Sequence, residues 1–223
     1  MPSTTRRLPA VLLLALALPL ALAACAPATV PVDGAASEAA EPSSAASETP
    51  DGGESGLSDD ITFAAGSQLD PATQAQWGDA MISDEAYAPA AVDDGNGNWS
   101  YTHLATQCVV GFWQGDISSL PAAADDEALS DEVLAYFFQG EAEEVSPYAE
   151  NETLPLQLGG IGEFDVRTVA GTNPETGGGY LVSARGFDAF HGGYVVSVTC
   201  PQGQNPLTLR DEIRDTHLSL ILS

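Results

Sequence analysis

The fold turns on the stretch Tyr194-Val195-Val196-Ser197-Val198-Thr199-Cys200. Side chains along a strand point to alternate faces, so Tyr194, Val196, Val198 and Cys200 share one apolar side. Just before it, Phe190-His191-Gly192-Gly193 reads as a turn. Gly179 to Ala189 then sets Tyr180, Val182 and Ala184 against Ser183 and Arg185. Further back, the cluster Gly171 to Gly178 is again a turn, and Gly162 to Ala170 alternates Phe164 and Val166 with Glu163, Asp165 and Arg167. Three short strands joined by tight turns predict an antiparallel meander. Pairing the first two places Asp165 near Arg185 on a polar face, a cross-strand charge pair worth roughly 0.3 kcal/mol. Beyond Cys200, Asn205 is placed to cap and Pro206 to begin a helix running to about Leu222. Leu209, Ile213, Thr216 and Leu220 would line its inner side, with Arg210 and Arg214 beside Asp211 and Asp215 on the other.

Toward the N-terminus, ordered structure is expected to begin near Leu57, with a short strand over Ile61 to Ala65. Asp70-Pro71-Ala72 looks like the capped start of a helix reaching Trp77. Asp93-Asp94-Gly95-Asn96-Gly97-Asn98 is a turn, because Asn-Gly favours positive φ. Asp94, Asn96 and Asn98 also have the oxygen spacing of a calcium loop, but Trp99 and Ala105 stand where that loop needs glycine and a bidentate acid. Trp99 to Trp113 alternates as one long strand, or two with a break. Leu104, Thr106, Cys108, Val110 and Phe112 fall on one face, and Tyr101, His103, Gln107 and Trp113 on the other. Pro121 to Gly140 reads helical, with Ser130 capping and Leu129, Val133 and Phe137, joined by Leu134 and Phe138, forming an apolar stripe. Glu141 to Thr153 is acidic and irregular, so it reads as exposed loop. Segregated strands and helices give an α+β class, an antiparallel sheet flanked by helices.

Composition limits the function classes. The chain has 223 residues and a formal net charge of −26, from 32 acids against six Lys and Arg. There is no lysine, and from Cys25 onward the basic side chains are Arg167, Arg185, Arg210 and Arg214. Four scattered arginines cannot neutralise a nucleic-acid backbone, and anionic lipid headgroups would repel the chain. No motif calls for a cofactor. Gly159-Gly160-Ile161-Gly162 lacks the strand–turn–helix setting of a dinucleotide loop. There is no nucleophile elbow, no zinc-protease helix and no Cys-x-x-Cys. His103, His191 and His217 stand alone, without metal-ligand spacing.

The first residues carry an address. Arg6 and Arg7 precede an uncharged run from Leu8 that ends in Leu22-Ala23-Ala24-Cys25. The run contains Pro9 and Pro19 and is shorter than the ~20 apolar residues a spanning helix wants, so a cleaved signal is expected over 1–24. Leu22 to Cys25 resembles the lipobox of bacterial lipoproteins. That resemblance implies a diacylglyceryl group on the Cys25 thiol, palmitate among its acyl chains, and anchoring to the extracytoplasmic face of the cell membrane. The stretch 25–56 is rich in Ala, Pro, Ser and Glu, without an aromatic residue before Phe63. It reads as a disordered tether of about 30 residues with a reach of roughly 30 Å, leaving 57–223 as one folded domain. On the oxidising side of a membrane, Cys108 and Cys200 are expected to pair, closing a loop of about 90 residues. High alanine and the missing lysine resemble the proteins of high-GC actinobacteria. The meander Gly179 to Cys200 followed by Pro206 to Leu222 resembles the Mog1/PsbP-like fold of some lipoproteins from that group.

Tyr101, His103 and Trp113, together on the face away from Cys108, are the candidate surface for a ligand or partner. The leading expectation is a non-enzymatic binding or accessory module of the envelope, its protein or small-molecule ligand unspecified. One alternative is a carboxylate-based hydrolase using acids such as Asp125-Asp126 or Glu143-Glu144. The other is a surface protein that binds calcium weakly through its acidic loops.

Overall fold

The computed structural model describes residues 60–93, 95–157 and 162–223. The expected signal, Cys25, the tether over 25–56, Asp94 and the Gly159–Ile161 bend lie outside the described residues. In chain order the elements are α1 (Phe63–Gly66), β1 (Ala75–Asp79), β2 (Tyr87–Ala91), β3 (Asn98–His103), β4 (Val109–Asp116) and α2 (Asp126–Phe138). Then come α3 (Ala142–Val145), β5 (Glu150–Gln157), β6 (Gly162–Thr172), β7 (Gly179–Phe187), β8 (Gly192–Thr199), α4 (Pro206–Arg214) and β9 (Leu218–Leu222).

The strands form one nine-stranded mixed sheet in the order β1-β9-β5-β6-β7-β8-β4-β3-β2. Every pairing is antiparallel except β5 with β9. Its two edge strands, β1 and β2, are consecutive in the chain, and the residues 80–86 between them can span at most about 25 Å. The sheet must therefore curl. Across the gap, Trp77 N donates to Gln114 Oε1 at 2.9 Å, and Trp77 Nε1 to the Trp113 carbonyl at 3.1 Å. Tyr194 Oη donates to the Ala75 carbonyl at 3.0 Å. Side chains thus satisfy part of an edge that would otherwise invite another strand.

Inside the curl, Trp77 meets Phe112, Phe164 and Tyr194 at ring distances of 5.9, 6.1 and 6.3 Å. Leu209 and Ile213 of α4 join this core. On the outer face, Leu129, Val133 and Leu134 of α2 pack on Val169, Val182, Ala184 and Val195. The β6–β7–β8 meander stands as expected, as does the Asn205 cap, whose Oδ1 accepts from Leu207 N at 3.0 Å. Cys108, just before β4, and Cys200, just after β8, are bonded, with Cα atoms 4.1 Å apart.

Other expectations change. The terminal helix stops at Arg214, and Leu218–Leu222 is a strand with Leu218, Leu220 and Leu222 buried on one side. Leucines two apart satisfy a pleated sheet and not a helix stripe. The stretch Asp70 to Trp77 is not a helix: Asp70 Oδ1 accepts from Ala72 N at 2.8 Å in a turn, and Trp77 sits on β1. Ile61 makes only a single parallel bridge to Phe164 before α1. Within Glu141 to Thr153, α3 and the start of β5 replace the expected loop. The acidic stretch extends because Arg210 bonds Glu152 and Arg167 Nη1 donates to Asn151 Oδ1 at 2.6 Å. The cap of α2 is Asp125, which accepts from Ala128 N at 2.9 Å. Ser130 is instead buried mid-helix, its Oγ donating to the Asp126 carbonyl at 2.6 Å and accepting from Gly186 N at 2.9 Å.

The Asp165–Arg185 surface pair does not form. Register sets Arg167 opposite Ala184, and the Arg185 side chain is fully buried. It lies 4.5 and 4.4 Å from the rings of Phe63 and Phe187. Its Nη2 donates to Asp126 Oδ2 at 2.9 Å and to the Thr62 carbonyl at 3.1 Å, and its Nη1 to the Asp165 carbonyl at 3.0 Å. Burial lowers the Arg185 pKa to about 10 and raises that of Asp126.

Candidate functional site

Between His103 and Val109 the chain reverses through Leu104–Gln107, where Gln107 has φ 60°. A residue in an antiparallel pair shares its face with the residue opposite, and Tyr101 is opposite Val110. Tyr101 therefore belongs with Phe112 and Cys108 in the inner core, and burial pushes its hydroxyl up to about 12. His103 is also buried, with Nδ1 2.8 Å from Thr106 Oγ1 and its ring 5.1 Å from that of Tyr87. Trp113 points the other way. The expected trio does not form one surface, because one continuous strand would keep odd residues together and the hairpin separates them.

What Trp113 joins is a groove on the outer face of β3, β4 and β8. Asn98 is opposite Trp113, Ser100 opposite Gly111, and Gly111 opposite Ser197. The floor is made of small residues: a Cβ at Gly111 would lie 2.8 Å from Ser197 Oγ. The helix α2 packs over β7 and ends at Phe138, so the outer face of β3 and β4 is left open. Its last turn makes the wall. The Tyr136 ring lies 5.9 Å from that of Trp113, and Phe137 lines the groove beside it. Two hollows, of about 420 and 210 Å³, share Asn98, Trp113, Phe137 and Val195.

Tyr136, Phe137 and Phe138 are 60, 40 and 36% exposed, a concentration of aromatic surface that soluble domains keep for contact with something else. The sequence carried a signal for it. Three consecutive aromatic residues on a helix span about 200° of its circumference, so one buried stripe cannot hold them all. The hydrogen-bonding groups along the groove are amides and hydroxyls, from Asn98, Gln139, Ser100 and Ser197. None of the described residues lining either hollow is charged. Gln139 closes α2 in the left-handed conformation, φ 57° and ψ 39°, a place glycine normally fills, while Gly140 follows one residue too late.

The acid pairs take other work. Asp125 caps α2, Asp126 is held by Arg185, and Glu143 and Glu144 are in the first turn of α3. Burial and the neighbouring Glu143, Glu141 and Asp131 raise the Glu132 carboxyl. Among the described residues, no group of three or more His, Cys, Asp or Glu is arranged to hold a metal ion. At the expected turn over 93–98, Asp93 Oδ1 accepts from Gly95 N and Gly97 N at 2.9 and 3.1 Å, and β3 begins at Asn98. No helix among the described residues is long and apolar enough to cross a membrane.

No family model matches the chain, and no curated protein does. A crystal structure from Bacteroides thetaiotaomicron is similar over 60% of this chain and 42% of that one, at 12% identity and a TM-score of 0.36.

Proposed function

We propose that this chain is a lipid-anchored binding module of the cell envelope. In this reading a diacylglyceryl group on Cys25 ties it to the outer face of the membrane, and the groove beside Trp113 meets its ligand. The observation that carries the binding role is the uncharged aromatic groove, open to solvent on an otherwise strongly acidic chain. The Cys108–Cys200 bond supports an oxidising compartment, and the lipobox-like Leu22 to Cys25 supports the anchor. The meander leading into α4 keeps the resemblance to Mog1/PsbP-like lipoproteins in view, with a helix that ends at Arg214. A role as a carboxylate hydrolase gains no support, because Asp126 is locked to Arg185 and Asp125 serves as a cap.

The test uses intact cells. Radioactive palmitate is expected to label the wild type and not Cys25→Ala, which is shed into the medium. A photo-crosslinking residue at position 136 is expected to capture an envelope component, whereas one at the exposed turn residue 175 does not. Equal capture at both positions refutes the binding role, and palmitate label on Cys25→Ala refutes the anchor.

A further inference from the structure

We infer that the groove beside Trp113 takes a neutral oligosaccharide, an assignment that rests on the binding role proposed above and names its ligand class. The first reason is charge. The chain carries 32 acids, yet none of the described ones lines either hollow. A cation finds no partner inside the groove, and an anion is repelled by the field of the whole molecule. A second copy of the chain is disfavoured in the same way, because it would bring another formal charge of −26 against the first.

The second reason is the kind of surface. Trp113, Tyr136 and Phe137 offer aromatic faces, which carry the negative side of a quadrupole and attract C–H groups of partial positive charge. A pyranose ring presents such C–H groups on its flat side. Around the rings stand Asn98, Gln139, Ser100 and Ser197, whose amides and hydroxyls both donate and accept. Sugar hydroxyls do the same. Asn98 and Ser197 already donate to the Asn96 and Gly111 carbonyls, but an apolar peptide or acyl chain would cover the Gln139 amide and the Ser100 hydroxyl without giving them a partner, which costs affinity. Two joined hollows across a flat floor suit a chain of several rings better than one.

The third reason is Gln139. Its left-handed backbone would be less strained as glycine, and the side chain it keeps lines the groove. A glutamine held there at a cost to stability is accounted for by what its amide binds.

The test titrates the detergent-solubilised full chain with neutral hexasaccharides (glucan, mannan, galactan and arabinan series), following tryptophan fluorescence and heat. An uncharged apolar hexapeptide and hexagalacturonate serve as contrasting probes. At least one neutral series is expected to bind, and Tyr136→Ala and Gln139→Ala each to weaken it about fivefold or more. Both positions are exposed, so circular dichroism of these variants is expected to match the wild type. Affinity is expected to change by less than about twofold between low and high salt. Gln139→Gly is expected to raise Tm while weakening binding, a pairing that a merely structural glutamine does not produce. Binding of the hexapeptide alone, tighter binding of hexagalacturonate, or no neutral series bound overturns the assignment. Cross-linking at position 136 in cells then decides separately whether the groove is a binding site at all.

Discussion

Replacing Arg185 with alanine tests the buried centre of the fold. The guanidinium and the Asp126 carboxylate are both wholly excluded from solvent, 2.9 Å apart. Removing one partner leaves the other charge buried and uncompensated, a loss of about 3–5 kcal/mol. The Thr62 and Asp165 carbonyls also lose their donor, and the rings of Phe63 and Phe187 lose the cation between them. These contributions overlap, so about 4 kcal/mol is the expected total, against a domain stability of about 5–15 kcal/mol. With a urea m-value of about 2 kcal/mol/M, the unfolding midpoint falls by about 2 M. Arg185→Met combined with Asp126→Asn removes both charges, fills the space between the rings and keeps an acceptor for Asp188 N. That double variant is expected to lose about 2 kcal/mol less than the sum of the two single changes. Gly66→Ala is an independent probe of the same centre, since its Cβ would lie 2.0 Å from Arg185 Nη2 and 2.3 Å from Asp126 Oδ2. It is expected to destabilise the fold on the scale of Arg185→Ala. Urea unfolding followed by circular dichroism compares the wild type with Arg185→Ala, Gly66→Ala, Arg185→Met, Asp126→Asn and the double variant. A loss below about 1 kcal/mol for Arg185→Ala, or strict additivity in the double variant, refutes the role assigned to the pair.

Three further outcomes are expected. Gln139→Gly relieves a left-handed non-glycine residue and is expected to stabilise by about 1 kcal/mol, read as a rise in Tm; no rise means the αL position is not strained. Removing the Cys108–Cys200 bond, with a sequence separation of 92, is expected to cost about 4–5 kcal/mol on chain-entropy grounds, measured by unfolding Cys108→Ala/Cys200→Ala against the oxidised wild type. Burial pushes Tyr87, Tyr101 and Tyr194 from 10.0 up to about 12, so their contribution is complete below pH 10 and is lost as pH rises through 12. Full ionisation corresponds to about 2–3 kcal/mol apiece, and their tyrosinate absorbance should appear together with loss of far-ultraviolet dichroism. Ionisation of all three near pH 10 in a protein that is still folded contradicts the assignment.

How far the sequence could be read follows from where regular periods survive. The meander is legible because β6, β7 and β8 are ordinary strands joined by glycine-rich turns, and Cys200 of the disulfide follows β8 directly. The strands β1, β5 and β9 are not. Each is short or rich in polar residues, and each owes its conformation to partners distant in sequence. Trp77 is opposite Leu220, and Leu154 opposite Phe164. Asp70-Pro71 and Asn205-Pro206 look alike as helix starts, yet only the second begins one. After Asp70 the chain turns and then pairs with β9, and tertiary pairing overrides a local capping signal.

The candidate site was half legible for a more specific reason, which is parity. Alternation places Trp113 on the face away from Cys108, where it lies, but counting in twos along an uninterrupted strand gives it the wrong companions. The reversal at Leu104–Gln107 turns a rule that holds within one strand into its opposite across two. Tyr101 and His103 are thereby committed to the core, while Asn98 and Ser100, opposite Trp113 and Gly111, come to the surface beside Trp113. The period of α2 places Phe137 in a buried stripe, and the stripe does hold for Leu129, Val133 and Leu134. It fails where the helix outruns the residues beneath it. There the aromatic side chains are only partly covered by protein, and the same overhang that defeats the periodicity is what makes a groove.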